Sequence, residues 1–289
     1  MDWIADYYKK NDDDISVRTL MDYAKSIRPV KIYKYQPIND TTCKTLLEQQ
    51  IWLSKRCLLN DPFESNPLNH EEKNVHNILS KYTEPLEGAI KSEFIMEEHR
   101  MLDRIIANKI EGSYIHAVIG SFSTTNNNYV LWGNYAEKNS GICVEYDLKT
   151  SYLFEEKKEN EINPLNYLFP VEYKTTRSDI SDMIEAASLN HSGSEKTRVA
   201  ELISLLEKHP DWAYEDEWRI ILPPSIHKEL DKNGVKISFM KPSAIYLGLN
   251  FKEEYLQQIK DYVERQKIHL YQSEINNSKD ISFKFKKIN

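Results

Sequence analysis

HAVIGSFSTTNNNYVLWGNYAEKNSGICVEYD, residues 116–147, decides the fold class. Its two ends, His116–Ser123 and Gly141–Asp147, are rich in β-branched and aromatic residues and read as strands. Between them a polar loop leads into a short aromatic helix around Trp132 and Tyr135. Working outward, Lys31–Gln36, Ile51–Ser54, Val171–Lys174, Glu217–Leu222, Ala244–Leu249, Ile268–Gln272 and Ile281–Lys286 read as further strands. Val17–Ile27, a segment capped by Asp40 or Thr41 and running to Gln49, Glu195–His209 and Phe251–Gln266 carry helical spacing. Leu86–Ile110 has the same spacing, for one or two helices. Strands and helices alternate without a regular βαβ order, which predicts an α+β fold: a mixed, mainly antiparallel sheet core flanked by helices. No glycine-rich dinucleotide fingerprint follows a strand, so a Rossmann domain is disfavoured.

The chain has 289 residues, 40% hydrophobic and 29% charged, an ordinary balance for a chain with a substantial core. With neither repeat nor long linker visible, residues 1–289 are read as one domain. Residues 1–30 form an N-terminal helical segment, 31–249 a core, and 250–289 a C-terminal helix and strands. A net charge of −7 repels a phosphate backbone, which disfavours sequence-independent duplex binding and leaves a local basic groove open. Three cysteines without metal-type spacing suggest buried or semi-buried thiols in a reducing cytoplasm rather than disulfides or zinc. The eight histidines form no ligand pattern, so no metal is expected. The acidic start lacks an apolar run, and no stretch is long enough to span a bilayer, so neither secretion nor a membrane partner is expected.

Polar and aromatic residues gather where the strands end: Tyr33-Lys34-Tyr35, Asn60-Asp61-Pro62-Phe63-Glu64, Ser121-Phe122-Ser123 with Trp132 and Tyr135, and Glu215-Asp216-Glu217-Trp218-Arg219. A carboxylate pair two residues apart on a strand projects to one side. Such a pair can stabilise a developing positive charge and deprotonate an acceptor. A lysine suits a pyrophosphate, and an aromatic face suits a flat heterocycle. Plainer readings stand beside these. Glu215 and Glu217 could form the solvent face of a strand whose other face buries Tyr214 and Trp218. Arg219 is read first as the partner of an acid and second as a phosphate ligand. Trp132 and Tyr135, three apart on a helix, share a face and by default pack in the core. Asn-Asp-Pro is turn chemistry, with Phe63 as a core anchor.

In order, the motifs YKY, NDPFE, SFS, WGNYA, GICVEYD and EDEWR resemble domain-of-unknown-function family 2971, across roughly Tyr33 to Gly248. More loosely, the element order resembles the ADP-ribosyltransferase fold, whose nucleic-acid-modifying branch includes toxins. That resemblance implies an NAD-consuming transferase. Glu217 would be the catalytic carboxylate and Glu215 its acceptor-side partner. Lys34, Ser121 and Ser123 would hold NAD, with Tyr33, Tyr35 and Arg219 also binding it and Tyr135 or Trp132 stacked on nicotinamide. It also implies a toxin or phage-defence role, a protein or nucleic-acid acceptor, and a restraining partner or antitoxin from a neighbouring gene. Two other readings of the same cleft remain open: a non-catalytic module binding a nucleotide or partner, and a nucleic-acid hydrolase or phosphotransferase with a basic groove near Lys34.

Overall fold

The computed structural model describes residues 2–11, 14–61, 63, 114, 117–150, 163–176, 178, 195–223, 226, 233–276 and 282–288. The strands are β1 (Lys31–Gln36), β2 (Gln50–Lys55), β3 (Val118–Ser123), β4 (Ile142–Asp147), β5 (Leu168–Pro170), β6 (Glu172–Tyr173), β7 (Glu207–Lys208), β8 (Glu217–Leu222), β9 (Gly234–Ser238), β10 (Ala244–Leu247), β11 (His269–Ile275) and β12 (Phe283–Lys287). The helices are α1 (Trp3–Lys10), α2 (Val17–Ser26), α3 (Asp40–Leu47), α4 (Tyr129–Asn134), α5 (Glu195–Ser204) and α6 (Leu256–Gln266). The predicted helix at Leu86–Ile110 lies outside the described residues.

Ten strands form one sheet in the order β12-β11-β10-β4-β1-β3-β2-β9, with β8 added beside β3 and β5 beside β8. Its pairings are antiparallel except β10 with β11, which α6 connects as a parallel crossover. The fold is therefore α+β with a mixed, mostly antiparallel sheet. The C-terminal strands extend the same sheet rather than standing apart from it.

Pleat alternation separates two faces. Val118 and Phe122 of β3 and Trp218, Ile220 and Leu222 of β8 point into one core, where α3 contributes Cys43 and Leu46 and α6 contributes Ile259, Tyr262 and Val263. On the opposite face Ile119 and Ile221 meet α1, α2 and α5 in a second core. Farther along that face lies an aromatic cluster of Tyr33, Trp132, Cys143 and Tyr246. Between these two apolar clusters the same face carries Ser121, Ser123, Glu217 and Arg219, in register as Ser121 opposite Arg219 and Ser123 opposite Glu217. Polar side chains break an otherwise continuous apolar layer there.

The sheet also splits. One edge of β3 is fully paired with β8. Along the other edge β1 meets it at Tyr33 opposite Ser123, while β2 meets it at Ser54 and Lys55 opposite Ile119 and Val118. β1 and β2 diverge between those points and open a gap over the middle of β3.

Local chemistry sets the element ends. Asn39, not Asp40 or Thr41, caps α3 in a reciprocal capping box with Thr42. Asp2 caps α1, which buries Trp3, Ile4 and Tyr7. The helix expected to reach His209 stops at Ser204. The backbone beyond it pairs with β6 instead: the Glu172 amide donates to the Leu206 carbonyl (2.7 Å) and the Lys174 amide to the Lys208 carbonyl (3.0 Å). Cys43 and Cys143 are buried thiols, whereas Cys57 is exposed on a short 3-10 turn, contrary to the expectation of enclosure.

Gly141 opens β4 against β1. A Cβ there would stand 2.3 Å from the Gln36 carbonyl oxygen and 3.0 Å from the Pro37 Cα, both backbone atoms that cannot swing away. Gly141→Ala is expected to destabilise the fold by about 1–3 kcal/mol, as overpacking does. A urea midpoint equal to wild type would show that the β1–β4 junction yields without cost.

Candidate functional site

The gap between β1 and β2 leads into a cavity of about 910 Å³. Lys34, Tyr33 and Tyr35 line it from β1, Ser121 and Ser123 from β3, and Glu217 and Arg219 from β8. Tyr135, Glu215, Lys208, Lys236 and Asn60 complete its polar wall, and Asp40 borders it at α3. Four cations, Lys34, Lys208, Arg219 and Lys236, face three carboxylates, Asp40, Glu215 and Glu217. The cavity is thus more basic than the chain as a whole, whose net charge is −7.

Glu217 is 4% exposed. The Arg219 Nε donates to its Oε1 (2.8 Å) and Nη2 to its Oε2 (2.9 Å) in a bidentate fork. The Lys208 Nζ lies 3.2 Å from Oε2, and the Ser121 hydroxyl also hydrogen-bonds this carboxylate. Burial opposes ionisation, but the Arg219 and Lys208 charges outweigh it and hold Glu217 at about 2. Glu215 is 5% exposed, and its Oε2 lies 2.7 Å from the same Lys208 ammonium. Tyr135 donates to its Oε1 at 2.5 Å, and the Asn60 amide donates to the Tyr135 oxygen at 2.6 Å. Burial, together with the Glu217 charge, pushes the Glu215 carboxyl upward against the pull of Lys208. The environment therefore drives the two acids in opposite directions.

Both acids are buried, so neither forms the solvent face of a strand. Nor do they share a pleat, as their two-residue spacing suggested. Glu215 ends the 3-10 turn Pro210–Glu215, and Asp216 adopts a left-handed conformation (φ 45°) before β8 begins. The turn is held by the Asn128 amide on the Tyr214 carbonyl (2.5 Å) and by the Thr124 hydroxyl on Asp216. Lys208 then draws the carboxylates together across the bend.

The structure separates the two candidates for stacking on nicotinamide and decides between the two readings of Arg219. Trp132 is fully buried, edge-on to Tyr35 and Phe283, with its indole N–H on the Asn126 carbonyl, so no face is free for nicotinamide. Tyr135 sits at the α4 C-cap and lines the cavity, with its hydroxyl on Glu215. Arg219 is spent on Glu217 and on the Leu205 carbonyl (2.8 Å), which makes it the partner of an acid rather than a phosphate ligand.

Lys34 needs a different geometry from the one its sequence position suggested. Tyr33 stands opposite Ser123, and Ser123 opposite Glu217, so Lys34 leaves β1 on the other face of the sheet. It reaches the cavity through the split: its Nζ donates to the Ser121 carbonyl (3.2 Å) and lies 4.9 Å from the Phe122 ring centre. Burial lowers its amine to about 8, against a smaller upward pull from Glu217. Tyr33 and Tyr35 border the cavity, but their hydroxyls serve the structure, Tyr35 by donating to the Thr125 carbonyl (2.9 Å). Ser123 is buried and accepts the Thr125 amide (3.3 Å). Of the Asn-Asp-Pro-Phe-Glu turn, Asn60 joins the site, Asp61 accepts the Phe63 amide, and Phe63 is 64% exposed rather than a core anchor. Pro62 and Glu64 lie outside the described residues.

Lys208 was not singled out in the sequence. It sits where the helical pattern Val199, Leu202, Ile203, Leu206 expires, and that loss of periodicity is the one local sign that the chain changes course there. Tyr173, whose hydroxyl accepts the Glu217 amide (2.9 Å), carried no sign at all.

Residues 131–220 match the family described as protein of unknown function (DUF2971). This is the family to which the motif order points, and the matched span carries WGNYA, GICVEYD and EDEWR. No curated protein and no solved structure matches the chain. Among the described residues, no helix is long and apolar enough to cross a membrane, and no group of three or more His, Cys, Asp or Glu is placed to hold a metal ion.

The linked carboxylates have a consequence for acid stability. Glu217 falls from 4.5 to about 2 on folding. A lowered carboxylate stabilises the folded state above its unfolded value, and that contribution is lost as pH drops through the folded one. As pH falls from about 4.5 toward 2, protonation of Glu217 should therefore cost stability. Glu215 has the opposite sign, because its raised carboxyl favours folding as pH falls. Urea unfolding across this window should show the decline for wild type and a flatter profile for Glu217→Gln. Parallel profiles would remove Glu217 as the source.

Proposed function

We propose that this chain is an NAD-consuming, ADP-ribosyltransferase-like enzyme. One observation carries the reading: Lys34, Ser121, Tyr135, Glu215 and Glu217, drawn from segments as far apart as β1 and β8, line one cavity of about 910 Å³. That size lies toward the upper end of ordinary ligand sites, roughly 300–1,000 Å³. Cleavage of the nicotinamide–ribose bond returns an electron pair to the nicotinamide and leaves positive charge on the sugar, as in glycoside cleavage. Glu217, held ionised, is suited to stabilise that charge. Glu215, whose carboxyl is pushed upward, is suited to take the proton of the attacking acceptor or water. Lys34 and Lys236 offer positive charge to a pyrophosphate. The toxin or phage-defence setting rests on the resemblance of the element order to the ADP-ribosyltransferase fold alone.

The test is nicotinamide release from NAD by the purified protein, with and without protein or nucleic-acid acceptors. Absence of release in every mixture would overturn the reading.

The full engagement of Glu217 by Arg219, Lys208 and Ser121 favours a second reading, in which the cavity binds a nucleotide without turnover. It requires NAD to raise the melting temperature with no nicotinamide released.

A further inference from the structure

Lys34 differs from Lys208 and Arg219, two of the other cations of the cavity. Lys208 and Arg219 are tied to the two glutamates, whereas the amine of Lys34 rests on a neutral carbonyl, that of Ser121, and on the face of Phe122. Among the described residues no carboxylate comes within ion-pair distance of it. An amine enclosed by an aromatic face and a backbone dipole, and open to a cavity of about 910 Å³, is placed to act as a nucleophile as well as a cation.

We infer that Lys34 is a covalent attachment point, its amine condensing with the aldehyde of a small anionic compound bound in the cavity. The neutral amine attacks the carbonyl carbon, forming the C–N bond. The carbonyl electron pair moves to oxygen, which takes up the amine's proton. Loss of water then leaves the imine, with no oxidant or reductant required. The anionic preference comes from Lys236, which lines the same cavity while Lys208 and Arg219 neutralise Glu215 and Glu217. The chemistry does not depend on NAD.

Burial supports the kinetics. At neutral pH an amine at about 8 holds on the order of 300 times more neutral form than one at 10.5. The lower intrinsic nucleophilicity takes back roughly twentyfold, if an amine follows the slope known for thiols. Lys34 should therefore react on the order of tenfold faster than an ordinary lysine.

The experiment treats the full chain with a sub-stoichiometric amount of pyridoxal 5′-phosphate, an aldehyde bearing a phosphate, at neutral pH. Imines are trapped with cyanoborohydride and located by peptide mass spectrometry. Lys34 should be labelled on the order of tenfold ahead of exposed Lys44, whose side chain is 70% accessible. Equal labelling of Lys34 and Lys44 overturns the inference, and because both sites are read in one wild-type molecule, no variant has to fold. Pyridoxal lacking the phosphate should keep the preference for Lys34 but reduce it. An unchanged preference would overturn the anionic part of the inference. Added NAD reports separately on the transferase reading: labelling of Lys34 that NAD does not slow counts against NAD occupying this cavity and leaves the amine chemistry standing.

Discussion

Replacing Lys208 by methionine is expected to destabilise the protein by about 3–5 kcal/mol near neutral pH, the range for breaking a buried ion pair from one side. The Lys208 side chain is 2% exposed, its ammonium lies 2.7 Å from Glu215 and 3.2 Å from Glu217, and it also stacks 4.7 Å from the centre of the Trp212 ring. Methionine fills a similar volume and keeps the apolar stem, so the loss isolates the charge. Glu217 retains Arg219. Glu215 is left with a hydrogen bond from Tyr135 and the negative charge of Glu217.

The pH dependence separates this cause from a packing defect. Without Lys208, the carboxyl of Glu215 rises further, so its folded form binds a proton that the unfolded form releases. Stability then increases as pH falls, and the deficit measured by urea unfolding should shrink between neutral pH and about pH 5. Adding Glu215→Gln to Lys208→Met should recover part of the loss, because the amide needs no counter-charge. A deficit that is the same at both pH values, and that the second substitution leaves untouched, would mean that Lys208 acts through packing alone.

The sheet was legible where local chemistry and burial agree. β1 and β8 fall on their predicted residues, Lys31–Gln36 and Glu217–Leu222, because each is a β-branched and aromatic run bounded by proline or a turn. Within the N-terminal helical segment, residues 1–30, α1 has no legible bounds of its own because eight residues carry only two turns of periodicity, and its stability comes from burying Trp3, Ile4 and Tyr7 against distant partners. The predicted helix through His209 failed for a tertiary reason: pairing with β6 captures the backbone after Leu206. The same pairing delivers Lys208 to the site, so the missed strand and the missed residue have one cause. Trp132 and Tyr135 share helical spacing, yet Tyr135 lies at the cap, where the helix no longer dictates the direction of its side chain. Convergence of Lys34 with Glu217 could not be read from alternation, since the two leave the sheet on opposite faces and meet through a split that no short motif encodes.

Under the transferase reading, Glu217→Gln should lower nicotinamide release by about 10²–10³-fold, the usual effect of removing one preorganised group that stabilises transition-state charge. The amide keeps the size of the carboxylate and can still accept a hydrogen bond from Arg219, but it carries no charge to set against a sugar that turns positive as nicotinamide leaves. The loss should fall on kcat with KM little changed, because the charge develops only during bond cleavage. Glu215→Gln should behave differently. Its carboxylate faces Tyr135 and Lys208, and its assigned task is the acceptor proton, so transfer to an acceptor should drop more than hydrolysis of NAD. Substitution of Glu217 also leaves Arg219 without its buried counter-charge, so a fall in melting temperature is expected alongside the loss of turnover. The division between kcat and KM, measured on the fraction that remains folded, distinguishes the two effects. If Glu217→Gln releases nicotinamide as fast as wild type while Arg219 and Lys208 lose their partner, the carboxylate belongs to the scaffold of the cavity and the chemistry must be sought at Glu215 or Lys34.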